Sequence, residues 1–143
     1  MRSLEILVVD DDDADAFMIS EALESSETRT TVKRVSDGRE ALDYLRRIAP
    51  YGEAHRPDLI LLDLNMPRMD GRETLAAIKT DDRLKAIPVV ILTTSGADQD
   101  IAASYQHQAN AYVTKPFTLD DFESTVRTIN RFYREVAVLP PGD

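Results

Sequence analysis

Short apolar runs separated by polar segments form the most regular hydrophobic pattern of this chain. Three runs, at residues 4–9, 59–62 and 89–92, are rich in Leu, Ile and Val and too short for free-standing helices. Such runs are typical of strands buried on both faces, as in a parallel sheet. Residues 30–35 are β-branched and alternate weakly, which predicts an edge strand, and residues 111–114 predict a last strand.

Between these strands, apolar residues recur at helical spacing, and capping residues mark two of the helix starts. Asp37 with Glu40 predicts a capping box, and Ala41, Leu45 and Ile48 predict the buried face of the helix that it opens. The first predicted helix begins near Asp13 and ends before Ser25-Ser26, and the second follows Asp37. The third runs from Gly71 to Lys79, the fourth spans Ile101 to Ala109, and the fifth follows the Thr118 cap to Tyr133.

Strands and helices thus alternate as five βα units. This alternation predicts an α/β fold with a parallel sheet, helices on both faces and right-handed crossovers. A length of 143 residues predicts one domain. The helix from Ile101 to Ala109 has only a thin apolar stripe, so we expect it to be exposed and weakly anchored.

Polar side chains follow the predicted strands at the carboxyl edge of the sheet, where open α/β sheets usually build their sites. These residues are Asp10, Asp11, Asp63, Thr93 and Lys115. Each pair of clustered carboxylates would repel by about 4 kcal/mol at an effective dielectric constant of about 20. Mg²⁺ would remove that repulsion and suits oxygen ligands, while a hydroxyl and an ammonium opposite it would suit a phosphoryl group.

These residues and their neighbours also have purely structural interpretations: Thr93 can be a β-branched strand terminus and Lys115 a solvated surface lysine. Asp63 can open an Asx-type turn that Pro67 and Gly71 continue. The acids that follow Asp11 can favour the positive end of the first helix; they are Asp12, Asp13 and Asp15. The coincidence of five such residues at strand ends favours a functional site.

Composition excludes several classes of function. The net charge of -9 argues against binding to nucleic acid, which requires clustered Lys and Arg. The chain has no cysteine, which excludes disulfides and thiolate metal sites. It shows neither a leader peptide nor a run of about 18 apolar residues, so we expect a soluble cytoplasmic protein without a membrane partner.

Taken together, the motifs resemble the receiver domains of two-component response regulators. The resemblance rests on Val8 to Asp11, Asp63 to Gly71, Thr93, and the stretch from Tyr112 to Phe117. It implies a flavodoxin-like doubly wound sheet of five parallel strands in the order 2-1-3-4-5.

The same resemblance implies a role for each site residue. Asp63 would be the phosphoacceptor. Asp11 and Asp63 would bind Mg²⁺ together with the backbone carbonyl of Asn65, and Asp10 would act through water. Lys115 would contact the phosphoryl group, and its bond to Pro116 is usually cis in this family. Thr93 and Tyr112 would form a switch pair coupled to the surface of the fourth helix, last strand and last helix.

A response regulator of this kind is a phosphoacceptor rather than an enzyme, limited to transfer onto itself and autodephosphorylation. Asp63 would attack a phosphohistidine of a sensor histidine kinase. One alternative is a Mg²⁺-dependent phosphatase with an aspartyl-phosphate intermediate, but such sites usually carry an acid where this chain has Asn65. Another is a scaffold that works without phosphorylation, although such proteins commonly lose pocket residues that this chain retains.

The chain departs from a minimal receiver in its loop from Ala49 to Pro57 and at its end. We expect a receiver domain over residues 1–130 and an extension over 131–143. The extension is more apolar than the last helix requires, which predicts a symmetric homodimer through that helix and the tail; the apolar residues are Phe132, Val136, Val138 and Leu139. The alternative is a tail folded back on its own domain. Both departures resemble the single-domain regulators paired with phytochrome-type histidine kinases.

Overall fold

A single parallel sheet organises the protein. The computed structural model describes residues 3–24 and 29–141. Five parallel strands form the sheet in the order β2-β1-β3-β4-β5, which confirms the predicted topology. The strands are β1 (Leu4–Val9), β2 (Thr30–Val35), β3 (Leu59–Leu62), β4 (Val89–Thr93) and β5 (Ala111–Thr114).

Five α-helices cover the two faces of the sheet, and a π-helical turn, Phe132–Val136, extends the last of them. The helices are α1 (Asp13–Glu24), α2 (Gly38–Leu45), α3 (Gly71–Thr80), α4 (Asp98–Gln106) and α5 (Leu119–Arg131). The Ser25-Ser26 stretch predicted to follow α1 lies outside the described residues. Among the helices of the described segments, none is long and apolar enough to cross a membrane.

The two faces of the sheet carry separate hydrophobic cores. Side chains of β3 alternate between them: Ile60 and Leu62 face the core that includes α2 and α3, whereas Leu59 and Leu61 face the core that includes α1 and α5. All four residues are buried. An apolar run without alternation therefore marks a central strand, because both of its faces are covered.

Two details of helix α2 differ from the sequence prediction. Asp37 caps α2 by accepting a bond from the Glu40 amide at 3.0 Å, but the Glu40 carboxylate accepts from the amide of Ser36 instead of Asp37. The prediction that Ile48 lies on the buried face of this helix is wrong. The helix ends at Leu45, Arg47 takes a positive φ of 57°, and Ile48 is 49% exposed.

Helix α4 has the weak anchoring that its sequence predicted. Ser104 is its only fully buried residue, and Tyr105 of its thin apolar stripe is exposed. The helix nevertheless has side-chain links to α3 and β5, because Arg72 bonds Asp100 and the Tyr105 hydroxyl accepts from the amide of Tyr112. Its position therefore depends on polar contacts more than on buried apolar area.

Part of the C-terminal tail folds back on its own domain, as the alternative to a dimer had it. After the π-helical turn, Leu139 packs against the core formed with α1 and α5, so this residue is not part of the expected partner surface. Pro140 and Pro141 line a cavity with Pro57 and Pro88. Phe132, Val136 and Val138 remain exposed. The fold-back arises because the chain leaves the helix at Ala137 in an extended conformation.

The first residue of α3, Gly71, lies directly against the backbone that follows β3. A capping box formed by Asp70 and Glu73 starts α3, and the amide of Gly71 donates to the Leu64 carbonyl at 2.9 Å. A Cβ atom at Gly71 would lie only 2.0 Å from the backbone oxygen of Asp63 and 2.7 Å from Cα of Leu64. Only a residue without a side chain allows this approach.

We expect Gly71→Ala to reduce the free energy of unfolding by about 1–3 kcal/mol, because overpacking forces the backbone of Asp63 to move. Urea denaturation measures the change. Gly52→Ala is the matched control, because a Cβ there meets nothing within 4 Å. Equal stability of the two variants would show that the contact at Gly71 does not constrain the Asp63 segment.

Candidate functional site

Three carboxylates meet where β1 and β3 end. Asp10 follows β1 and Asp63 follows β3, and Asp11 is the next residue after Asp10. One oxygen of each carboxylate lies within 4.8 Å of the others. Asp10 and Asp63 are only 2% and 7% exposed, whereas Asp11 reaches solvent. The cluster therefore has a buried floor and one open side.

The ammonium of Lys115, which follows β5, lies against this cluster. Its Nζ donates to Asp10 Oδ2 at 2.8 Å and to Asp63 Oδ2 at 3.2 Å. A third bond, also of 2.8 Å, goes to Asp15 Oδ2 in the first turn of α1. The sequence predicted Asp15 only as an acid that favours the start of a helix, and its contact with Lys115 was missed. Asp15 follows Asp11 by only four residues, which was the available signal.

The charges of the site are strongly coupled. Burial alone would lower the pKa of Lys115, but its hydrogen bonds and attraction to Asp10, Asp15 and Asp63 outweigh burial and raise that pKa above its ordinary value. Burial raises the pKa of Asp10, against the opposing effect of Lys115. Lys115 is therefore a fixed cation at neutral pH, held in place by the acids around it.

Thr93, the last residue of β4, contributes a hydroxyl with no partner. The residue is 0% exposed, and its Oγ1 forms no hydrogen bond. Its backbone oxygen accepts from the amide of Lys115 at 2.7 Å, which fixes Thr93 beside the strand end that carries the lysine. A buried hydroxyl without a partner is costly, so the site fits an additional acceptor such as a phosphoryl oxygen.

The carboxylates fit a hard divalent cation. Asp10, Asp11 and Asp63 supply oxygen ligands, and the exposed position of Asp11 leaves room for water, which Mg²⁺ retains when bound. Asn65 lies two residues after Asp63, at the same edge of the sheet. Its backbone amide donates to Asp63 Oδ1 at 3.4 Å. The residues present therefore fit a divalent metal site.

A polar network links Tyr112 of β5 to the start of α4. The Tyr112 hydroxyl donates to the backbone oxygen of Ser95 at 2.8 Å, and the Ser95 hydroxyl donates to Asp100 at 2.6 Å. Arg72 of α3 donates to the other oxygen of Asp100 at 2.9 Å. Bonds from Ser95 and Arg72 hold the pKa of Asp100 below its usual range. The parts played by Arg72 and Asp100 were missed, because nothing in their spacing relates α3 to α4.

The half-buried ring of Tyr112 packs against the core that includes α2 and α3. The Lys115–Pro116 peptide bond is trans, unlike the usual isomer of the family that the motifs resemble. Within the described residues, the only cis peptide bond joins Ala49 and Pro50.

Comparison with known proteins agrees with this arrangement. The family model of the response regulator receiver domain matches residues 6–127. The chain is similar to response regulator Rcp1 of Synechocystis sp., with 43% identity over 135 residues that cover 94% of this chain and 92% of that protein.

Two solved structures share the fold over nearly their whole length. One is the phosphorylated cyanobacterial phytochrome response regulator RcpA, with 46% identity and a TM-score of 0.95, covering 98% of this chain and 100% of that one. The other is the Mn²⁺-bound form of Rcp1, with 42% identity and a TM-score of 0.92, covering 96% and 99% respectively. With the matching fold and family model, this chain belongs to the response regulator receiver domain family.

Proposed function

We propose that Asp63 accepts a phosphoryl group from a sensor histidine kinase and that the modified protein transmits the signal through its α4-β5-α5 surface. As a receiver domain, the chain is a phosphoacceptor in a phosphorelay rather than an enzyme. The observation that carries the assignment to Asp63 is the convergence of Asp10, Asp11 and Lys115 around it.

The proposed transfer forms one bond and breaks one. A carboxylate oxygen of Asp63 attacks phosphorus, the bond between phosphorus and the histidine nitrogen of the kinase breaks, and that nitrogen regains its electron pair. No general base is needed, because the attacking carboxylate carries no proton to remove. The task of the protein is therefore to position the reacting groups and to stabilise charge.

The remaining site residues divide this task. Asp10, Asp11, Asp63 and the backbone carbonyl of Asn65 would hold the metal, with Asp10 acting through water, and we propose Mg²⁺. When bound, the metal supplies neutralisation of the phosphoryl oxygens in the transition state. Lys115 would contact the phosphoryl group. In autodephosphorylation water attacks the same phosphorus, the bond between phosphorus and the Asp63 oxygen breaks, and inorganic phosphate leaves the regenerated carboxylate.

The switch follows from the unpaired hydroxyl of Thr93. A phosphoryl oxygen on Asp63 gives this hydroxyl the acceptor that it lacks. Movement of Thr93 opens space for the ring of Tyr112. The bond from Tyr112 to Ser95, and that from Ser95 to Asp100, then transmit the movement to α4. The weak apolar anchoring of α4 makes this helix the element that can shift.

We expect Thr93→Ala to take up a phosphoryl group on Asp63 but to lose the change in α4 and β5. The reason is that the hydroxyl, not the carboxylate, connects the two regions. Amide chemical shifts of residues 95–114 with and without phosphorylation measure the coupling. Thr94→Ala is the matched control, since Thr94 is the exposed neighbour of Thr93. A full shift in Thr93→Ala would remove Thr93 from the switch.

The partner kinase is proposed from the relatives of this chain, and its localisation and domain boundaries from its sequence. Because RcpA is described as a phytochrome response regulator, we propose a phytochrome-type histidine kinase as the partner. We propose a cytoplasmic protein without nucleic-acid binding, consistent with the net charge of -9. Residues 1–130 would form the receiver domain, and residues 131–143 an extension that supports a homodimer together with α5.

We expect Val136→Asp to convert the proposed dimer to a monomer, because the exposed Val136 would lie in an apolar interface with Phe132 and Val138. Light scattering coupled to size-exclusion chromatography gives the mass. Ile48→Asp, at an exposed apolar residue outside this surface, should leave the mass unchanged. A dimer that persists in Val136→Asp would place the interface elsewhere.

A phosphorylated histidine kinase of the phytochrome type, mixed with this protein and Mg²⁺, tests the function. We expect the kinase to lose its phosphoryl group while this protein gains one phosphoryl group per chain. A phosphate monoester supplied in excess should not be turned over. The phosphorelay would be contradicted if the protein released phosphate continuously from the monoester and took no phosphoryl group from the kinase.

A further inference from the structure

Every donor of the Lys115 ammonium is already occupied. An ammonium group has three N–H donors, and Lys115 has three carboxylate partners: Asp10, Asp15 and Asp63. A phosphoryl group on Asp63 adds oxygens for which no donor of Lys115 is free. One of the three bonds must therefore break before Lys115 can contact the phosphoryl group.

The structure singles out the bond that breaks most easily. Asp10 is buried and its other oxygen already accepts from the amide of Asp12 at 2.9 Å, so it cannot readily turn away. Phosphorylation of Asp63 consumes the charge of its carboxylate and releases one donor of Lys115 to a phosphoryl oxygen, so a second contact requires Asp10 or Asp15 to give up its bond. The side chain of Asp15 is 21% exposed, against 3% for Asp10, so water can replace Lys115 as its partner at the smallest cost.

We propose that Asp15 is a positioning residue that acts through Lys115, as a displaceable counter-ion that holds the ammonium until a phosphoryl group arrives. This inference rests on the proposed function of Asp63. Asp15 holds Lys115 at 2.8 Å while the bond to Asp63 is the longest of the three at 3.2 Å, and it thereby leaves the Asp63 carboxylate available to a metal. It also competes with the phosphoryl oxygens for the same ammonium.

Two opposite effects follow from this competition. Without the charge of Asp15, Lys115 has a free donor for an incoming phosphoryl group, which should bind more tightly. The same ammonium can also move closer to Asp63, its most distant partner, which should weaken metal binding in the absence of a phosphoryl group. Simple damage to the site would weaken both, so the opposite signs identify the role of Asp15.

Beryllofluoride, which mimics a phosphoryl group on a carboxylate, provides the test in the full chain. Fluorine NMR gives its affinity at saturating Mg²⁺, and calorimetry gives the affinity for Mg²⁺ alone. For Asp15→Asn and Asp15→Ala we expect beryllofluoride binding to tighten by roughly tenfold, the equivalent of a modest charge-assisted hydrogen bond, and Mg²⁺ binding to weaken by roughly threefold.

Two further variants complete the design. Asp15→Glu retains a carboxylate that can reach Lys115 and should restore both wild-type affinities. Asp12→Asn removes the same charge one turn away but keeps the cap on the Asp15 amide, and it has no contact with Lys115. It should show neither of the paired changes.

The outcomes separate the two levels of the proposal. Wild-type protein that fails to bind beryllofluoride would overturn the function of Asp63, and the role of Asp15 with it. Normal binding by the wild type, with unchanged or weakened beryllofluoride affinity in both Asp15→Asn and Asp15→Ala, would overturn the role of Asp15 alone. Equal effects in Asp12→Asn would assign the change to overall charge and would also overturn it.

Discussion

Asp63→Asn is expected to take up no phosphoryl group, from either a phosphorylated kinase or a small phosphodonor. The amide has nearly the shape of the carboxylate but is not a nucleophile, so the variant loses the bond-forming atom and little else. Removal of one of three clustered acids also relieves repulsion, and Lys115 retains Asp10 and Asp15 as partners. The variant should therefore be folded and at least as stable as the wild type without metal.

Intact-protein mass measures phosphorylation, and urea denaturation measures stability. Asp82→Asn is the control, because Asp82 is an almost fully exposed acid that pairs with Lys85 on the surface, far from the strand ends in sequence. It should be phosphorylated like the wild type. Phosphorylation of Asp63→Asn at an undiminished rate would mean that another side chain is the acceptor.

Lys115→Ala is expected to cause the largest loss of stability in the metal-free protein, about 3–5 kcal/mol. Of the cations in the described part of the chain, the substitution removes the one that pairs with two buried carboxylates, Asp10 and Asp63. Leaving such a charge without a partner costs far more than the ion pair contributes as a whole. Mg²⁺ should restore much of the stability, because it replaces the lost positive charge.

The pH dependence of this variant has a defined sign. Burial already raises the pKa of Asp10, so the folded protein binds this proton more tightly than the unfolded chain. The contribution of Asp10 to stability is therefore fully present below the unfolded pKa and is lost as pH rises through the higher folded pKa. Without Lys115 that loss should extend to higher pH, and acidification should recover stability.

Urea denaturation at several pH values, with and without Mg²⁺, measures both effects. Lys85→Ala provides the control, because Lys85 is largely exposed and its pairing with Asp82 should be worth less than about 1 kcal/mol. If metal-free Lys115→Ala were as stable as the wild type, the carboxylates would not be held together by this lysine.

The parallel sheet and the side chains at its strand ends could be predicted from short-range patterns, whereas the strand order was implied by the resemblance to receiver domains. The unbroken apolar run of β3 requires cover on both faces, and parallel strands bring their carboxyl ends to one edge. Asp10, Asp63 and Lys115 therefore had to lie near one another in any sheet of this order.

Other features depend on rotations and backbone conformations that local patterns do not specify. The contact of Asp15 with Lys115 depends on how α1 is rotated about its axis, and acids in a first helical turn are equally consistent with a solvent-exposed start. The exposure of Ile48 follows from the positive φ of Arg47, which helical spacing cannot reveal. The return of Leu139 to its own domain is a long-range contact of the same kind.

The most direct test of the central claim, that these strand ends build a phosphoacceptor site around Asp63, is to locate the modification. Wild-type protein is incubated with acetyl phosphate and Mg²⁺, and the phosphorylated residue is identified by peptide mass spectrometry. We expect one phosphoryl group per chain, on Asp63, and none when the metal is chelated. A phosphoryl group on another residue, such as His55 or His107, or no modification at all, would contradict it.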